Sequence, residues 1–124
     1  YAREYFDGFG LVYYGCCEPL DRKIDIVRKL PNLRKISITP WADVKRAAEQ
    51  MGSDFVMARK PNPAMVAVPE LDEAALRQEI GDTLDICRAN AVPVEFVLKD
   101  ISSCGHNPRN ISRWAEIVMD MVTR

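Results

Sequence analysis

The sequence alternates four times between a short apolar run typical of a β-strand and a longer segment with helical spacing of its apolar residues. The strand-like runs cover residues 11–14, 33–39, 54–58 and 94–98, and residues 1–7 resemble the end of a preceding helix. Apolar strands joined by helical crossovers are typical of a parallel sheet. The pattern therefore predicts an α/β fold of four parallel βα units.

Four helices are predicted between and after these strands. The first covers residues 21–30, the second starts with Thr39 as the capping hydroxyl before Pro40, and Gly52 ends it. The third covers residues 71–91, and Asn107-Pro108 opens the last. We expect the last helix to bury its apolar positions Ile111, Ala115, Val118 and Val122.

Two folds fit this order, a segment of a (β/α)8 barrel and a small doubly wound sheet. No Gly-x-Gly-x-x-Gly follows any predicted strand, which argues against a dinucleotide-binding sheet. Four units are half of the eight that close a barrel. We therefore expect residues 1–124 to form one half-barrel domain of a longer protein, since the sequence starts with Tyr1 and not with methionine.

Charge and cysteine content exclude several classes of protein. The net charge of −1 over 124 residues gives no basic surface for nucleic acid or an anionic membrane. No apolar run approaches the length of a membrane span. The four cysteines lack the spacing of a small disulfide scaffold, which indicates a reduced, cytoplasmic protein.

Polar side chains gather just after each predicted strand, whereas the helix-to-strand connections are plainer. In parallel α/β folds, the carboxyl ends of the strands carry the active site. This asymmetry indicates an enzyme, and we take four of these residues as catalytic candidates. They are Lys60, Asn62, Lys99 and Asp100.

Each candidate also has a simpler explanation. Lys60 and Lys99 can be solvated strand ends, and Asn62 between two prolines can simply shape a turn. Glu95 lies inside an apolar strand and needs a cationic partner if it faces the barrel interior. Lys60 or Lys99 can supply that partner, as a structural ion pair or a substrate contact.

Thiols, an imidazole and a carboxylate at the same strand ends predict a metal site. Its candidate ligands are Cys16, Cys17, Glu18, Cys104 and His106. Cysteine and histidine are the side chains that zinc prefers, although no Cys-x-x-Cys pair is present. Adjacent residues of a strand point to opposite sides, so we expect Cys16 and Cys104 as the main ligands and Cys17 to point away. Each cysteine can instead be a buried small apolar residue, as we expect for Cys87 on the helical stripe of residues 76, 80 and 84.

The sequence resembles the uroporphyrinogen decarboxylase superfamily over nearly its whole length, from about residue 9 to the end. The matching stretches are YYGCCEPL (13–20), LRKISI (33–38), WADV (41–44), KPNP (60–63), CG (104–105) and NPRNI (107–111). Members of that superfamily are (β/α)8 barrels, so the resemblance implies the C-terminal half of such a barrel.

Two branches of that superfamily imply different chemistry. Uroporphyrinogen decarboxylases carry Gly-His-Gly in the final loop, where this chain has Ser103-Cys104-Gly105. Zinc-dependent corrinoid methyltransferases use a His-x-Cys pair and a cysteine in the final loop, which Cys16 or Cys17 and Cys104 match. Tyr14 or Gly15 stands at the position of that histidine, which leaves Glu18 or His106 to supply the missing ligand.

The leading hypothesis is a fragment of a zinc-dependent, cobalamin-linked methyltransferase. The resemblance implies a corrinoid carried by a partner protein and a small thiol or folate-type acceptor, with zinc activating the thiol. The alternatives are a decarboxylase of the tetrapyrrole type, or a fragment with only a binding role.

The exposed face of a half-barrel predicts an association between two copies. Its sheet has two open edges, and we expect an apolar inner face with Ile36, Ile38, Val56 and Phe96. Two copies placed edge to edge can close an eight-stranded barrel, which predicts a homodimer. The alternative is a monomer whose flattened sheet is covered by the N-terminal helix.

Overall fold

The structure, a computed structural model, describes residues 2–124 as an α/β fold with one four-stranded parallel sheet. The strands are β1 (Val12–Tyr14), β2 (Leu33–Ile38), β3 (Val56–Arg59) and β4 (Val94–Phe96). The helices are α1 (Ala2–Phe6), α2 (Ile24–Val27), α3 (Val44–Met51), α4 (Glu73–Ala89) and α5 (Arg109–Val122). Short 3-10 turns lie at Gly52–Asp54 and Pro63–Met65.

The strands follow one another in sheet order β1-β2-β3-β4, and each neighbouring pair is parallel. Successive helices also contact each other, α2 with α3, α3 with α4 and α4 with α5. Right-handed crossovers that always step to the next strand place every connecting helix on the same face. A doubly wound sheet requires a point at which the strand order reverses. Within residues 2–124 the order does not reverse.

The helix-covered face of the sheet carries the hydrophobic core. Ile36, Ile38 and Met57 are fully buried there against α2, α3 and α4, together with Cys87 of α4. A second cluster joins α4 to α5 through Leu76, Ile80, Leu84, Trp114 and Ile117. The predicted stripe on α4 with Cys87 is therefore confirmed.

The other face, which we call the open face, carries polar residues. Lys35, Val56 and Glu95 lie on it, because the register aligns Lys35 with Val56 and Ala58 with Glu95. Lys35 Nζ donates to both carboxylate oxygens of Glu95, at 2.9 and 3.0 Å, and lies 5.2 Å from the Tyr13 ring centre. The prediction that Lys60 or Lys99 pairs with Glu95 is wrong, since the ion pair is formed by Lys35 of β2, two strands away from Glu95 of β4.

The predicted apolar inner face is also wrong at three of its four positions. Ile36 and Ile38 have no exposed surface and lie on the helix-covered face. Phe96 is partly buried against the α4–α5 cluster, so only Val56 of the four lies on the open face. Strand alternation separates two faces but does not say which one the helices cover.

Two helix predictions also change. The helix start at Thr39-Pro40 is wrong, because Asp43 caps α3 by accepting the backbone N–H of Arg46 at 2.9 Å. Gly52 ends α3 at φ +52°, as predicted. The buried face of α5 is rotated from the predicted one, since Ile111, Ala115 and Val122 are exposed and only Val118 of the four is buried.

Several element boundaries differ from prediction by a few residues. The predicted helix 21–30 shortens to α2, and the helix 71–91 to α4. The strand predicted at 54–58 begins at Val56, because a 3-10 turn occupies its start. The predicted helix end at residues 1–7 is confirmed over α1, while Tyr1 lies outside the described residues.

Both ends of the helix layer expose apolar side chains. Near the β1 edge these are Tyr5, Phe9, Leu11 and Ile26, and near the β4 edge they are Ile111, Met119 and Val122. Among residues 2–124, no helix has the length and apolarity needed to cross a membrane.

Candidate functional site

Four polar side chains meet at the carboxyl ends of the strands, and we call them the strand-end cluster. They are Cys17 after β1, Lys60 after β3, and Lys99 and Asp100 after β4. Lys99 Nζ donates to Cys17 Sγ at 3.7 Å and lies 3.5 Å from the Asp100 carboxylate. The amines of Lys60 and Lys99 are close enough to interact directly.

The two lysines of the cluster differ in their surroundings. Lys60 is only 5% exposed, and burial lowers its pKa, with a further lowering by the Lys99 amine. The pKa of Lys99 is raised, chiefly by the charge of Asp100. Of the two amines, Lys60 is therefore the one that loses its proton more readily.

Asp100 adopts a left-handed backbone conformation, at φ +61°. Left-handed conformations disfavour residues with a Cβ, although aspartate tolerates them better than most. Such backbone geometry often accompanies functional sites.

A buried ion pair holds the end of β3 in place. Arg59 is 5% exposed; its guanidinium donates to the Thr39 carbonyl at 2.6 Å and to Glu79 of α4 at 3.3 Å. Burial lowers the pKa of Arg59, and Glu79 opposes that shift. The same Glu79 oxygen accepts the backbone N–H of Asn62 at 3.4 Å. Sequence reasoning missed this pair, because no motif marks it.

Asn62 forms the turn that the simpler explanation anticipated. Its side-chain oxygen accepts the backbone N–H of Ala64 at 3.0 Å and caps the 3-10 turn at Pro63–Met65. Asn62 also lines a cavity of about 310 Å³ at the carboxyl end of the sheet. The other lining residues are Trp41, Pro63, Ala64, Ala67, Asp100, Ile101 and Ser102.

Trp41 is the exposed aromatic residue at this end of the sheet. Its side chain lines the 310 Å³ cavity and also a second cavity of about 460 Å³ with Arg22, Lys23 and Arg46. It is 70% exposed, which is unusual for so large an apolar side chain. Sequence reasoning used Trp41 only within a matching stretch and did not predict a role for it.

Two buried hydroxyls lie near the same strand ends. Within the part of the chain that the structure describes, Ser37 Oγ and Thr39 Oγ1 have no hydrogen-bond partner. Buried polar groups are normally paired, so these two hydroxyls are exceptions. The described residues therefore leave polar groups unsatisfied at the end of β2.

The loop after β4 is fastened to the loop after β3. The buried Asn110 side chain donates to the carbonyls of Val66, Val68 and Cys104, at 3.3, 2.6 and 3.5 Å. Gly105 has φ +61°, and a Cβ there would lie 2.1 Å from the Val68 carbonyl oxygen. Only glycine fits this approach, so the loop that carries Cys104 is tied down at Gly105.

The predicted metal ligands occupy separate places. Cys16 lies against the core on the helix-covered side, whereas Cys17 is exposed beside Lys99. Glu18 pairs with Lys23 at 2.6 Å, and His106 is exposed at φ +62°. Cys104 is half-buried in the final loop. Across residues 2–124, no three His, Cys, Asp or Glu side chains come together as a metal site would require.

Comparison with protein-family models, with curated proteins and with solved structures finds no significant match. The strand-end cluster and the cavity beside it form the candidate site. It offers a nearly buried lysine, a second lysine held by a carboxylate and a thiol, and an adjoining cavity with an exposed tryptophan. Among residues 2–124, Asp100 is the one charged residue that lines this cavity, and it joins the cavity to Lys99, whose amine lies 3.5 Å from the Asp100 carboxylate.

Proposed function

We propose that this chain is the C-terminal half of a (β/α)8 barrel of the uroporphyrinogen decarboxylase superfamily, whose parent enzyme acts on a carboxylate-bearing substrate. The observation that carries the proposal is the pairing of Lys60 and Lys99 at the strand ends, beside one carboxylate, Asp100. Two adjacent amines disfavour each other's charge, and an anionic group relieves that repulsion. A tetrapyrrole with several carboxylates, or a smaller organic acid, supplies such groups.

Three features of the fold support the barrel. The strand order is sequential, the helices neighbour one another on one face, and both β1 and β4 are edge strands. An open edge exposes unpaired backbone groups, and apolar residues are exposed beside each edge. Four further βα units would cover all of these surfaces together.

Ligand binding by the 124-residue chain tests the substrate class. Uroporphyrin is a stable, fluorescent tetrapyrrole that carries eight carboxylate groups. It is titrated into the protein while its fluorescence is followed. We expect Lys99→Gln to weaken binding by about tenfold, which corresponds to roughly 1.4 kcal/mol. Lys45→Gln removes an exposed lysine of α3 and serves as the matched control.

Catalysis is tested on the full-length parent protein. Decarboxylation of uroporphyrinogen, followed by chromatography of the products, supports the decarboxylase branch. Uroporphyrin binding that is unchanged by loss of both Lys60 and Lys99 contradicts the proposed role of the strand-end cluster.

The zinc-dependent methyltransferase is the second candidate, and the placement of two thiols favours it. Cys17 and Cys104 both lie beyond the carboxyl ends of the strands, on the loops after β1 and β4. Zinc held by thiolates would activate a thiol acceptor for methyl transfer from a corrinoid carried by a partner protein. The described residues do not fit a complete zinc site, because no three His, Cys, Asp or Glu side chains among them come together.

Metal content discriminates between the two branches. The methyltransferase predicts about one zinc per full-length chain, lost in Cys104→Ser. The sequence-based expectation that Cys16, and not Cys17, is the second ligand is tested by Cys16→Ser and Cys17→Ser. A metal-free protein whose thiols are all freely alkylated contradicts the methyltransferase, and the chain then keeps the decarboxylase or a binding role.

The isolated chain is proposed to form a homodimer of half-barrels. Pairing β1 of one copy with β4 of the other would remove both open edges and cover the apolar residues beside them. Sedimentation at micromolar concentration should give a dimer, and Met119→Lys on α5 should weaken it. A monomer that stays folded on dilution contradicts this assembly.

A further inference from the structure

We propose that Lys60 is a nucleophile that forms an imine with the carbonyl group of an oxo acid, with Lys99 as the positioning residue beside it. The inference rests on the proposed carboxylate-binding function and names its substrate class. An oxo acid combines the carboxylate that suits Lys99 with a carbonyl that reacts with a neutral amine.

The position of Lys60 is the first observation. It follows β3 directly, at the end of the sheet where parallel α/β enzymes carry their reactive groups. Its side chain is nearly buried, at 5% exposure, and among residues 2–124 no carboxylate lies within ion-pair distance of it. Burial makes the charged form of a lysine more costly, which lowers the pKa of Lys60.

The neighbours of Lys60 are the second observation. Lys99 interacts with its amine, while Lys99 itself is held by Asp100 and Cys17 at 3.5 and 3.7 Å. Asp100 and Cys17 act in the opposite direction on the pKa of Lys60, but burial and Lys99 have the larger effects. A lysine beside another cation is a known way to obtain a free amine near neutral pH.

The proposed reaction proceeds through an imine between Lys60 and the oxo acid. The neutral Lys60 amine adds to the carbonyl carbon of the oxo acid, and loss of one water with uptake of one proton from solvent gives the protonated imine. In a 3-oxo acid, the imine accepts the electron pair of the breaking bond to the carboxylate carbon, which leaves as carbon dioxide. The resulting enamine takes up a proton, and water then releases the ketone and restores the lysine.

The experiment traps the imine in the 124-residue chain. The protein is incubated with pyruvate and cyanoborohydride near neutral pH, and the modified lysines are identified by peptide mass spectrometry. We expect Lys60 to be labelled on the order of tenfold faster than Lys45, which is exposed and has an ordinary environment. Lys60→Arg keeps the positive charge and should lose this label, with the fold checked by circular dichroism.

Variants of the neighbours separate a reactive lysine from a merely accessible one. Lys99→Gln removes the neighbouring cation and should slow labelling of Lys60 at neutral pH, with the difference shrinking at higher pH. Asp100→Asn should speed it, since Asp100 raises the pKa of Lys60, and asparagine tolerates the left-handed backbone.

The two proposals fail in different ways. Labelling of Lys60 no faster than Lys45, or unaltered in Lys99→Gln, overturns the imine even if uroporphyrin binds through Lys99. Rapid labelling of Lys60 that depends on Lys99 supports the imine even if uroporphyrin does not bind.

Discussion

The two faces of the sheet differ in character, because one is apolar and stabilises the fold and the other carries charged groups. The helix-covered face buries Ile36, Ile38 and Met57 completely, in a core that includes α2, α3 and α4. The open face carries Lys35 and Glu95, whose side chains are 32% and 40% exposed. Burial of apolar area stabilises the first face, whereas the charged groups of the second gain little from solvated pairing.

This difference explains how a four-stranded sheet with an uncovered face can hold its shape. The open face carries the charged pair Lys35 and Glu95, which remains partly solvated, so the chain does not expose the fully apolar interior that four strands of a barrel can have. Much of the apolar exposure lies at the two ends of the helix layer, in residues such as Leu11 and Met119, although Tyr13 on the open face and Trp41 at the strand ends are exposed as well. Association at those ends would leave the strand-end cluster accessible.

The largest predicted effect is a difference in stability loss between substitutions at two neighbouring residues of β3. Met57→Ala removes a side chain with no exposed surface and should destabilise the protein by about 2–5 kcal/mol, because it leaves a cavity. Val56→Ala on the open face should cost about 1 kcal/mol or less, since Val56 is partly solvated. Urea denaturation measures both, and equal losses would contradict the division between faces.

A substitution at Gly105 tests whether the loops at the carboxyl ends of the strands are also tightly packed. Gly105→Ala places a Cβ 2.1 Å from a backbone oxygen of Val68 and demands an unfavourable left-handed conformation. We expect a loss of about 2–4 kcal/mol, with displacement of the loop that carries Cys104. Gly10→Ala meets no atom within 4 Å and is the control. Thermal unfolding with similar midpoints for both variants would argue against the close approach.

The burial of Cys87 on the helix-covered face predicts a loss of stability at alkaline pH. Burial raises the pKa of its thiol to about 11 from the ordinary value of 9.0, and Arg59 opposes this shift. The unfolded chain ionises first, so the stability contributed by the protonated thiol is present below about pH 9 and is lost toward pH 11. Its loss should amount to on the order of 2 kcal/mol.

Cys87→Ala should flatten this alkaline decline, although its stability near neutral pH is lower because of the smaller side chain. Denaturation curves across this pH range measure the slope for both proteins. An unchanged slope in Cys87→Ala would assign the decline to other groups.

The smallest predicted effect concerns the open face. A double-mutant cycle with Lys35→Met and Glu95→Gln should give a coupling of about 1 kcal/mol or less, because both side chains remain partly solvated. A coupling of several kcal/mol would mean that another surface covers this pair in solution. Repeating the cycle over a range of protein concentrations would then show whether that surface is a second copy.

The element order and much of the site follow from local sequence. Four apolar runs and four helical segments produce the parallel sheet, and Gly52 ends α3 where its left-handed conformation is needed. The position of Lys60, Lys99 and Asp100 after their strands places them at one end of the sheet. These features depend on residue spacing within a few turns of chain, which the sequence contains.

Tertiary contacts decided the rest. Residue spacing in β2 separates Lys35 from Ile36, but only the helices determine that Ile36 is the covered one. The rotation of α5 depends on its contact with α4, so Trp114 and Ile117 are buried and Ile111 is not.

The sequence by itself therefore determined the order of the elements and the chemical groups at the strand ends. Only the folded chain decided that Lys35 pairs with Glu95, that Cys17 and not Cys16 lies beside Lys99, and that Arg59 binds Glu79. Local spacing fixes where a side chain leaves its own element. Its partners come from segments tens of residues away, and the packing that places them side by side involves the whole fold.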